Sequence, residues 1–512
     1  MPSRPTIHGV LLAALSGLLY WASQPPLVLG VLAFVALVPL LVALRGARPW
    51  RGLALGWLAG TIACNGLTTP SIHAALVHAH HPGWLAAVES LVIPQLCGAL
   101  WFAAFGLFAA LLERRRPATS WGILLLPAAW VACEFARSRI GNGMPWVLLA
   151  HAVTGYPWLL QVADVGGAGG VSFVVAVVNV LLATLVERSP GGWRRNRLPL
   201  VAGIGVFWAA TLYGDVQLRA WREPPEGRTL RVALVQGDVP EGWRTSLSSL
   251  PSVLARYQIL VASAARDRPD LIVLPENAAG ISPSANPQVF ARIVEPLAGS
   301  DALLLLGAPR TVPLGAGSAA VRNSAFLVDA TGTLRATYDK IRLVPFGEAS
   351  TWLLPETLQR RLGIPQNYSA GDTATLFDIS GTRAGILICW EGIYASAARA
   401  LVRAGAALLV NLSNDDWFGG RAAVEQHFRA SLLRAVETRR PLLRATNSGV
   451  TAVVDQRGVV VARAVPDVPM IVTANVTAGS QMSIYTRIGD VFAWACLLAA
   501  LGVLLAPRRV RR

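Results

Sequence analysis

The chain is 512 residues long, 54% of them hydrophobic and only 14% charged, with a mean hydropathy of +0.48. That balance excludes an ordinary soluble protein and makes a membrane the first expectation. The net charge of +16 would suit nucleic acid, but its arginines gather in short loops between apolar runs, which marks them as topology determinants and removes nucleic acid as a partner.

In chain order, apolar runs at 8–23, 26–44, 52–70, 86–112, 119–136, 168–187 and 198–214 read as seven spans, and 488–506 as one more, about eight in all. The first follows Arg4 like a signal peptide, yet no small-residue cleavage site closes it, so it is expected to be retained. Arg45, Arg48 and Arg51, then Arg114, Arg115 and Arg116, then Arg188, Arg194, Arg195 and Arg197, and finally Arg508, Arg509, Arg511 and Arg512 all fall on one side of an alternating topology. The positive-inside rule makes that side cytoplasmic. The expected organisation is a membrane domain over 1–214, an extracytoplasmic domain over 215–487, and a final span with a basic tail over 488–512.

Within 215–487 the pattern changes to short β-rich runs at 230–236, 271–275, 303–307, 324–329, 384–389, 407–412, 442–446, 451–455 and 470–475, with helix-like stretches at 252–266, 289–295, 395–404 and 424–438. Strands alternating with helices predict one α/β domain. Segment 349–370 carries Trp352, Leu353, Leu354, Leu362 and Ile364 among polar residues, which suits a lid, a membrane-dipping arm, or packing on the domain.

Three residues stand out chemically. Lys340 is the only lysine of the chain, against 44 arginines. A lysine offers a compact point charge where arginine offers a rigid fork, so one retained lysine suggests contact with a developing oxyanion; an Arg-biased composition is the plain alternative. Cys64, Cys97, Cys133 and Cys496 fall in predicted spans, leaving Cys389 as the single cysteine of the outer domain. An unpaired thiol there is a candidate nucleophile, or a small packed side chain. Glu276 ends the run Leu271–Pro275, Lys340 follows Thr333–Tyr338, and Cys389 ends Gly385–Ile388. Strand ends are where α/β domains gather functional groups. Together they predict a nucleophilic site with Glu276 as base, Cys389 as nucleophile and Lys340 as oxyanion contact. His427, the only histidine of this domain, could instead pair with Cys389; His73, His78, His80 and His81 lack a thiol or carboxylate to complete a metal set and read as an interfacial loop. No cofactor or metal is expected.

Leu274-Pro275-Glu276, Asp339-Lys340 with Val344-Pro345-Phe346-Gly347-Glu348, and Ile388-Cys389-Trp390-Glu391 resemble the Glu–Lys–Cys signature of the nitrilase, or carbon–nitrogen hydrolase, superfamily. Ser413–Gly419, Gln426-His427 and Arg440–Gly449, with Glu134, Arg137 and Gly143–Trp146 in the membrane segment, make the whole chain similar to the bacterial apolipoprotein N-acyltransferase family. The resemblance implies a polytopic α-helical membrane protein of about eight spans carrying an αββα sandwich on the periplasmic face of the inner membrane. It also implies transfer of an acyl chain from a phospholipid to the N-terminal diacylglyceryl-cysteine of an apolipoprotein, through a thioester on Cys389. By carry-over Glu348 orients Lys340 or assists the base, and Trp390 and Glu391 line the nucleophile, Trp390 standing where the family often has Tyr. Trp243 is the nearest counterpart of a family Trp, at a departing spacing. A membrane-tethered amidase, or a sensor or transporter whose outer domain only binds ligand, are the rival readings.

Overall fold

In a computed structural model the chain divides into two compact units. The structure describes residues 6–25, 27, 29–115, 122–186, 197–222, 227–240, 247–278, 280, 283, 287–315, 318–345, 347–348, 357, 361 and 368–505. Trp243 and most of 349–370, including Trp352, Leu353, Leu354, Leu362 and Ile364, lie outside the described residues, as do Arg116, Arg188, Arg194, Arg195 and the C-terminal arginines.

The first unit comprises 1–73, 83–220 and 488–512. Among its described residues, Gly83–Arg114, Ala163–Leu185 and Leu200–Ala220 are long and apolar enough to cross a membrane, and Ile7–Ser23 and Val491–Leu505 are shorter apolar helices. Trp50, Trp84, Leu91, Val201, Trp208, Leu212, Trp494 and Leu498 are exposed on this unit. So much outward apolar surface would aggregate in water and suits lipid instead.

The expected second span, 26–44, is not one continuous helix. A 3₁₀ turn at Gly30–Phe34 and a short helix at Val38–Ala43 replace it. Pro39 at the start of the second piece cannot donate back into the preceding turn. Asn179 fills the gap: its Oδ1 accepts from the Leu37 amide at 2.8 Å, and its Nδ2 donates to the Ala33 carbonyl at 2.8 Å. The third helix, Pro49–His78, runs past the expected end at 70, so His73 and His78 sit on a helix rather than in a loop. Gly52, Gly56 and Gly60 repeat every four residues along it. A Cβ at Gly56 would lie 2.2 Å from the Phe102 carbonyl oxygen, and one at Gly52 would lie 2.5 Å from that of Gly106. Such small residues let two apolar helices approach backbone to backbone.

The second unit comprises 74–82 and 221–487. It is built on two six-stranded sheets. The first has order β12-β1-β2-β3-β4-β5, with β1 at Thr229–Gln236, β2 at Leu271–Val273, β3 at Leu303–Gly315, β4 at Ser318–Val328, β5 at Leu334–Asp339 and β12 at Met470–Thr477. The second has order β11-β10-β9-β8-β7-β6, with β6 at Leu376–Ile379, β7 at Thr382–Ile388, β8 at Leu408–Ser413, β9 at Leu442–Thr446, β10 at Ala452–Val454 and β11 at Val460–Arg463. β1, β2 and β3 are parallel, as are β7, β8 and β9, while the outer strands pair antiparallel.

β2, β8 and β9 are buried at every residue. Strands covered on both faces need apolar side chains in both directions, which is why they read as continuous hydrophobic runs. Helices Leu250–Ala265 and Pro287–Val294 cover the first sheet around Val235, Tyr257, Ile272, Leu304 and Phe326. Helices Ala395–Arg403 and Arg421–Thr438 cover the second, and the sheets meet through β1 and β9. The layers run helix, sheet, sheet, helix, the expected sandwich.

Candidate active site

Glu276, Lys340 and Cys389 each sit just past the end of a strand. After β2 the chain turns through Leu274-Pro275-Glu276, held by Leu274 N–H donating to the Leu305 carbonyl at 2.8 Å and Gly307 N–H to that of Pro275 at 3.1 Å. Gly307 is required by this close pass, because a Cβ there would stand 2.6 Å from the Glu276 Cα. Lys340 extends the β4–β5 ladder by one more bond, its N–H donating to the Asn323 carbonyl at 2.8 Å. Cys389 follows β7 with φ of +50°, in the left-handed region. A non-glycine residue pays roughly 1–2 kcal/mol to sit there, and strain of this kind at a strand-to-turn junction presents a nucleophile outward.

The three groups are buried together: Lys340 is 0% exposed, Glu276 4% and Cys389 6%. The Lys340 ammonium lies 2.8 Å from Glu348 Oε2, 2.9 Å from Glu348 Oε1 and 3.4 Å from Glu276 Oε1. Glu348 also accepts from the Val344 amide at 2.8 Å. Asn323, which no sequence motif singled out, donates to Glu276 Oε1 at 2.7 Å and to Glu348 Oε1 at 3.0 Å. The Asn414 amide donates to Glu276 Oε2 at 2.8 Å.

Burial pushes the Glu276 carboxyl up; the Lys340 charge pulls it back and Glu348 pushes it up again, so the net shift is upward. Burial alone would lower the Lys340 ammonium, but Glu348 and then Glu276 outweigh it and hold it charged. Burial, and then the Glu276 charge, raise the Cys389 thiol, with Lys340 opposing them. The arrangement is a thiol held protonated by its burial, beside a carboxyl group of raised basicity and a fixed cation. Such a set moves a proton from sulfur to carboxylate as attack occurs, without storing a free thiolate.

Glu391 has a different place from the one its position beside the nucleophile suggests. Its Oε1 accepts from Tyr338 Oη at 2.8 Å and from the Ile341 and Arg342 amides at 2.9 and 3.0 Å, and its Oε2 from the Ile388 amide at 2.8 Å. It ties the end of β5 to the end of β7 and so sets Lys340 against Cys389. Glu391→Gln would turn an amide donor toward one of these N–H groups; an unmade buried bond of this kind costs about 1–3 kcal/mol. A clear fall in thermal unfolding midpoint is expected, and an unchanged midpoint would contradict the clamp. Trp390 Nε1 donates to Tyr394 Oη at 2.6 Å, with the Arg342 guanidinium 4.4 Å from the centre of the Tyr394 ring.

His427 is not paired with the thiol through the usual ring nitrogen. Its Nδ1 is 2.9 Å from Asp415 Oδ1, and its Nε2 is 3.3 Å from the Cys389 carbonyl oxygen. Arg444, 0% exposed, places Nη2 at 2.9 Å from Asp415 Oδ2, and Ser413 Oγ donates to Asp415 Oδ1 at 2.8 Å. Asn411 Nδ2 donates to the Cys389 carbonyl at 3.3 Å. The Cys389 turn therefore rests on a buried polar base. Burial raises Asp415, but Arg444 and then His427 overcome it and hold it well below the usual carboxylate range. Burial and Arg444 both lower His427, against Asp415. One donor atom each from Cys389, Asp415 and His427 lie within 4.8 Å of one another, as a soft divalent cation would want. The guanidinium already paired with Asp415 opposes a second cation there.

A carbon–nitrogen hydrolase family model matches residues 231–482, so the second unit is a domain of that class. A model of the apolipoprotein N-acyltransferase N-terminal domain matches residues 16–181. An apolipoprotein N-acyltransferase from Geobacter metallireducens is 33% identical over 98% of this chain and 95% of that one, and another from Caulobacter vibrioides is 31% identical over 98% and 95%. The chain belongs to the apolipoprotein N-acyltransferase family. Among solved structures, an amidase from Nesterenkonia sp. is 17% identical, with 53% of this chain and 97% of that one covered and a TM-score of 0.39.

Proposed function

We propose that this enzyme transfers a fatty acyl chain from a membrane phospholipid to the α-amino group of the N-terminal diacylglyceryl-cysteine of apolipoproteins. Glu276 takes the thiol proton as Cys389 Sγ attacks the ester carbonyl of the phospholipid. The oxyanion that forms is met by the Lys340 ammonium. The C–O bond to glycerol breaks, Glu276 returns its proton to the departing oxygen, and the acyl group stays on sulfur as a thioester. The acceptor amine then attacks the thioester carbonyl with Glu276 taking its proton, the new amide forms, and the thiol is regenerated. Glu348 holds Lys340 in place, and Trp243 enters only as the nearest counterpart of a family Trp, with no step of this cycle assigned to it.

The observation that carries the reading is a lone lysine, a carboxylate of raised basicity and a lone-domain thiol buried together at three strand ends, in a chain of this family. The matching architecture is a membrane domain over 1–214 with seven spans, a catalytic domain over 215–487 and an eighth span with the basic tail over 488–512. The enzyme is then a multi-pass protein of the bacterial inner membrane, with the catalytic domain on the periplasmic face and both of its substrates held in the bilayer. The arginine-bearing connections and the apolar helices support that topology.

Intact-protein mass spectrometry tests the chemistry. Detergent-purified enzyme incubated with phospholipid and no acceptor is expected to gain one fatty acyl mass, which neutral hydroxylamine removes and Cys389→Ala never acquires. An adduct that survives in Cys389→Ala, or no adduct under conditions that trap a known acyl-thioester enzyme, would defeat the proposal.

A further inference from the structure

The site holds two buried carboxylates, Glu276 and Glu348, against one ammonium, Lys340. A buried cluster with an excess negative charge lowers its energy by binding a proton, and a proton resting on Glu276 would leave no base for the thiol. Something must make the doubly ionised state tolerable. Lys340 spends its two shorter contacts on Glu348 and lies at 3.4 Å from Glu276.

Asn323 supplies the missing donors. Its amide nitrogen has two hydrogens, and it reaches Glu276 Oε1 at 2.7 Å and Glu348 Oε1 at 3.0 Å, one carboxylate each. The residue is 5% exposed, and its own carbonyl accepts the Lys340 N–H at 2.8 Å. It sits on β4, whose next residue Ser324 pairs with Asp339 in β5. One strand position therefore fixes the base, the second carboxylate and the backbone of the lysine. An amide does this where a carboxylate would not, because an ionised carboxylate only accepts.

We propose that Asn323 is a positioning residue that keeps Glu276 free of a resting proton and so available as base. This inference rests on the reading of Glu276 as the thiol's base. The charged and titratable groups facing Glu276 are Lys340 from the end of β5, Glu348 from the loop beyond it and Cys389 from the end of β7. Asp415, beyond Cys389, is already paired with the Arg444 guanidinium. Asn323 and the Asn414 amide are the uncharged donors.

The sign follows from the bond. A hydrogen bond to the ionised carboxyl holds its pKa down, so removing it raises the pKa and the acid limb of the rate profile moves to higher pH. The test measures the rate of thioester formation against pH, by mass spectrometry, in the full-length enzyme in micelles containing dipalmitoyl phosphatidylethanolamine. Asn323→Ser keeps one donor and Asn323→Asp keeps the shape with none when ionised. The limb is expected to move up by about one pH unit in the serine variant, and further in the aspartate variant. At a pH below the wild-type limb's plateau the serine variant loses roughly tenfold in rate, recovered on raising the pH. A loss equal at every pH with an unmoved limb, or no loss at all, overturns the inference and leaves the thioester reading intact. A wild-type enzyme that forms no adduct, or an adduct retained in Cys389→Ala, overturns both.

Discussion

Lys340→Arg is expected to lower the rate of thioester formation by roughly 10²–10³-fold, although the charge is kept. The ammonium is 0% exposed and has two carboxylates around it, Glu348 at 2.8 Å and Glu276 at 3.4 Å. A guanidinium in the same place is larger, and overfilling a packed site costs about 1–3 kcal/mol. Its planar fork also prefers a bidentate bond to one carboxylate, which would bind the lone pairs of Glu276 that receive the thiol proton in the proposed cycle. Lys340→Met removes the cation altogether. The oxyanion contact would be lost and Glu276 would face Glu348 with no cation between them, so a still larger fall is expected. Single-turnover acylation measured by mass spectrometry, beside an unfolding midpoint for each variant, separates chemistry from folding. Near-normal acylation in the arginine variant would show that the lone lysine is a compositional remnant.

The three groups of the candidate site were legible because they are chemically distinctive residues placed where apolar runs stop. Glu276, Lys340 and Cys389 follow β2, β5 and β7, and β9 falls on Leu442–Thr446 as the pattern predicts. Two short edge strands were not legible: β6 at Leu376–Ile379 is only four residues long, and β11 at Val460–Arg463 has no buried residue, so no alternation long enough marks either. β3 runs on to Gly315, past the expected end at 307, through Pro309 and Pro313. Beyond Leu305 it no longer pairs with β2, so a missing N–H on that side costs nothing.

Asn323 was invisible for another reason. An amide in a polar hairpin strand looks like any other until tertiary structure brings two carboxylates to it. The broken second apolar run shows the same limit, because the partner of its Leu37 amide is Asn179, far along the chain. The motifs Ser413–Gly419 and Arg440–Gly449 were recognisable as words, while their work is tertiary. The Asn414 amide reaches Glu276, Asp415 pairs with Arg444, and Asn447 Nδ2 donates to Asp416 at 2.9 Å.

Arg444→Met should unfold the catalytic unit under milder conditions than any substitution at the nucleophile itself. Arg444 and Asp415 are both essentially unexposed, and deleting one partner of a buried pair leaves the other charge without compensation, at a cost of about 3–5 kcal/mol. His427 would be pulled toward the protonated form, since Arg444 is one of the two causes holding it down. The pH dependence carries the signature. Asp415 has a depressed pKa in the folded state, so its contribution to stability is fully present above the ordinary aspartate value near 3.9 and is lost as the pH falls through the folded one. In the wild type, thermal unfolding of the full chain should therefore weaken steeply in that acid window. In Arg444→Met the main cause of the depression is gone, the curve should start lower at neutral pH, and its acid slope should flatten. Because the Cys389 carbonyl rests on His427 and Asn411, the variant should also acylate slowly even where it remains folded. A variant with wild-type midpoint and wild-type acid slope would mean that the buried base beneath the nucleophile is not held by this ion pair.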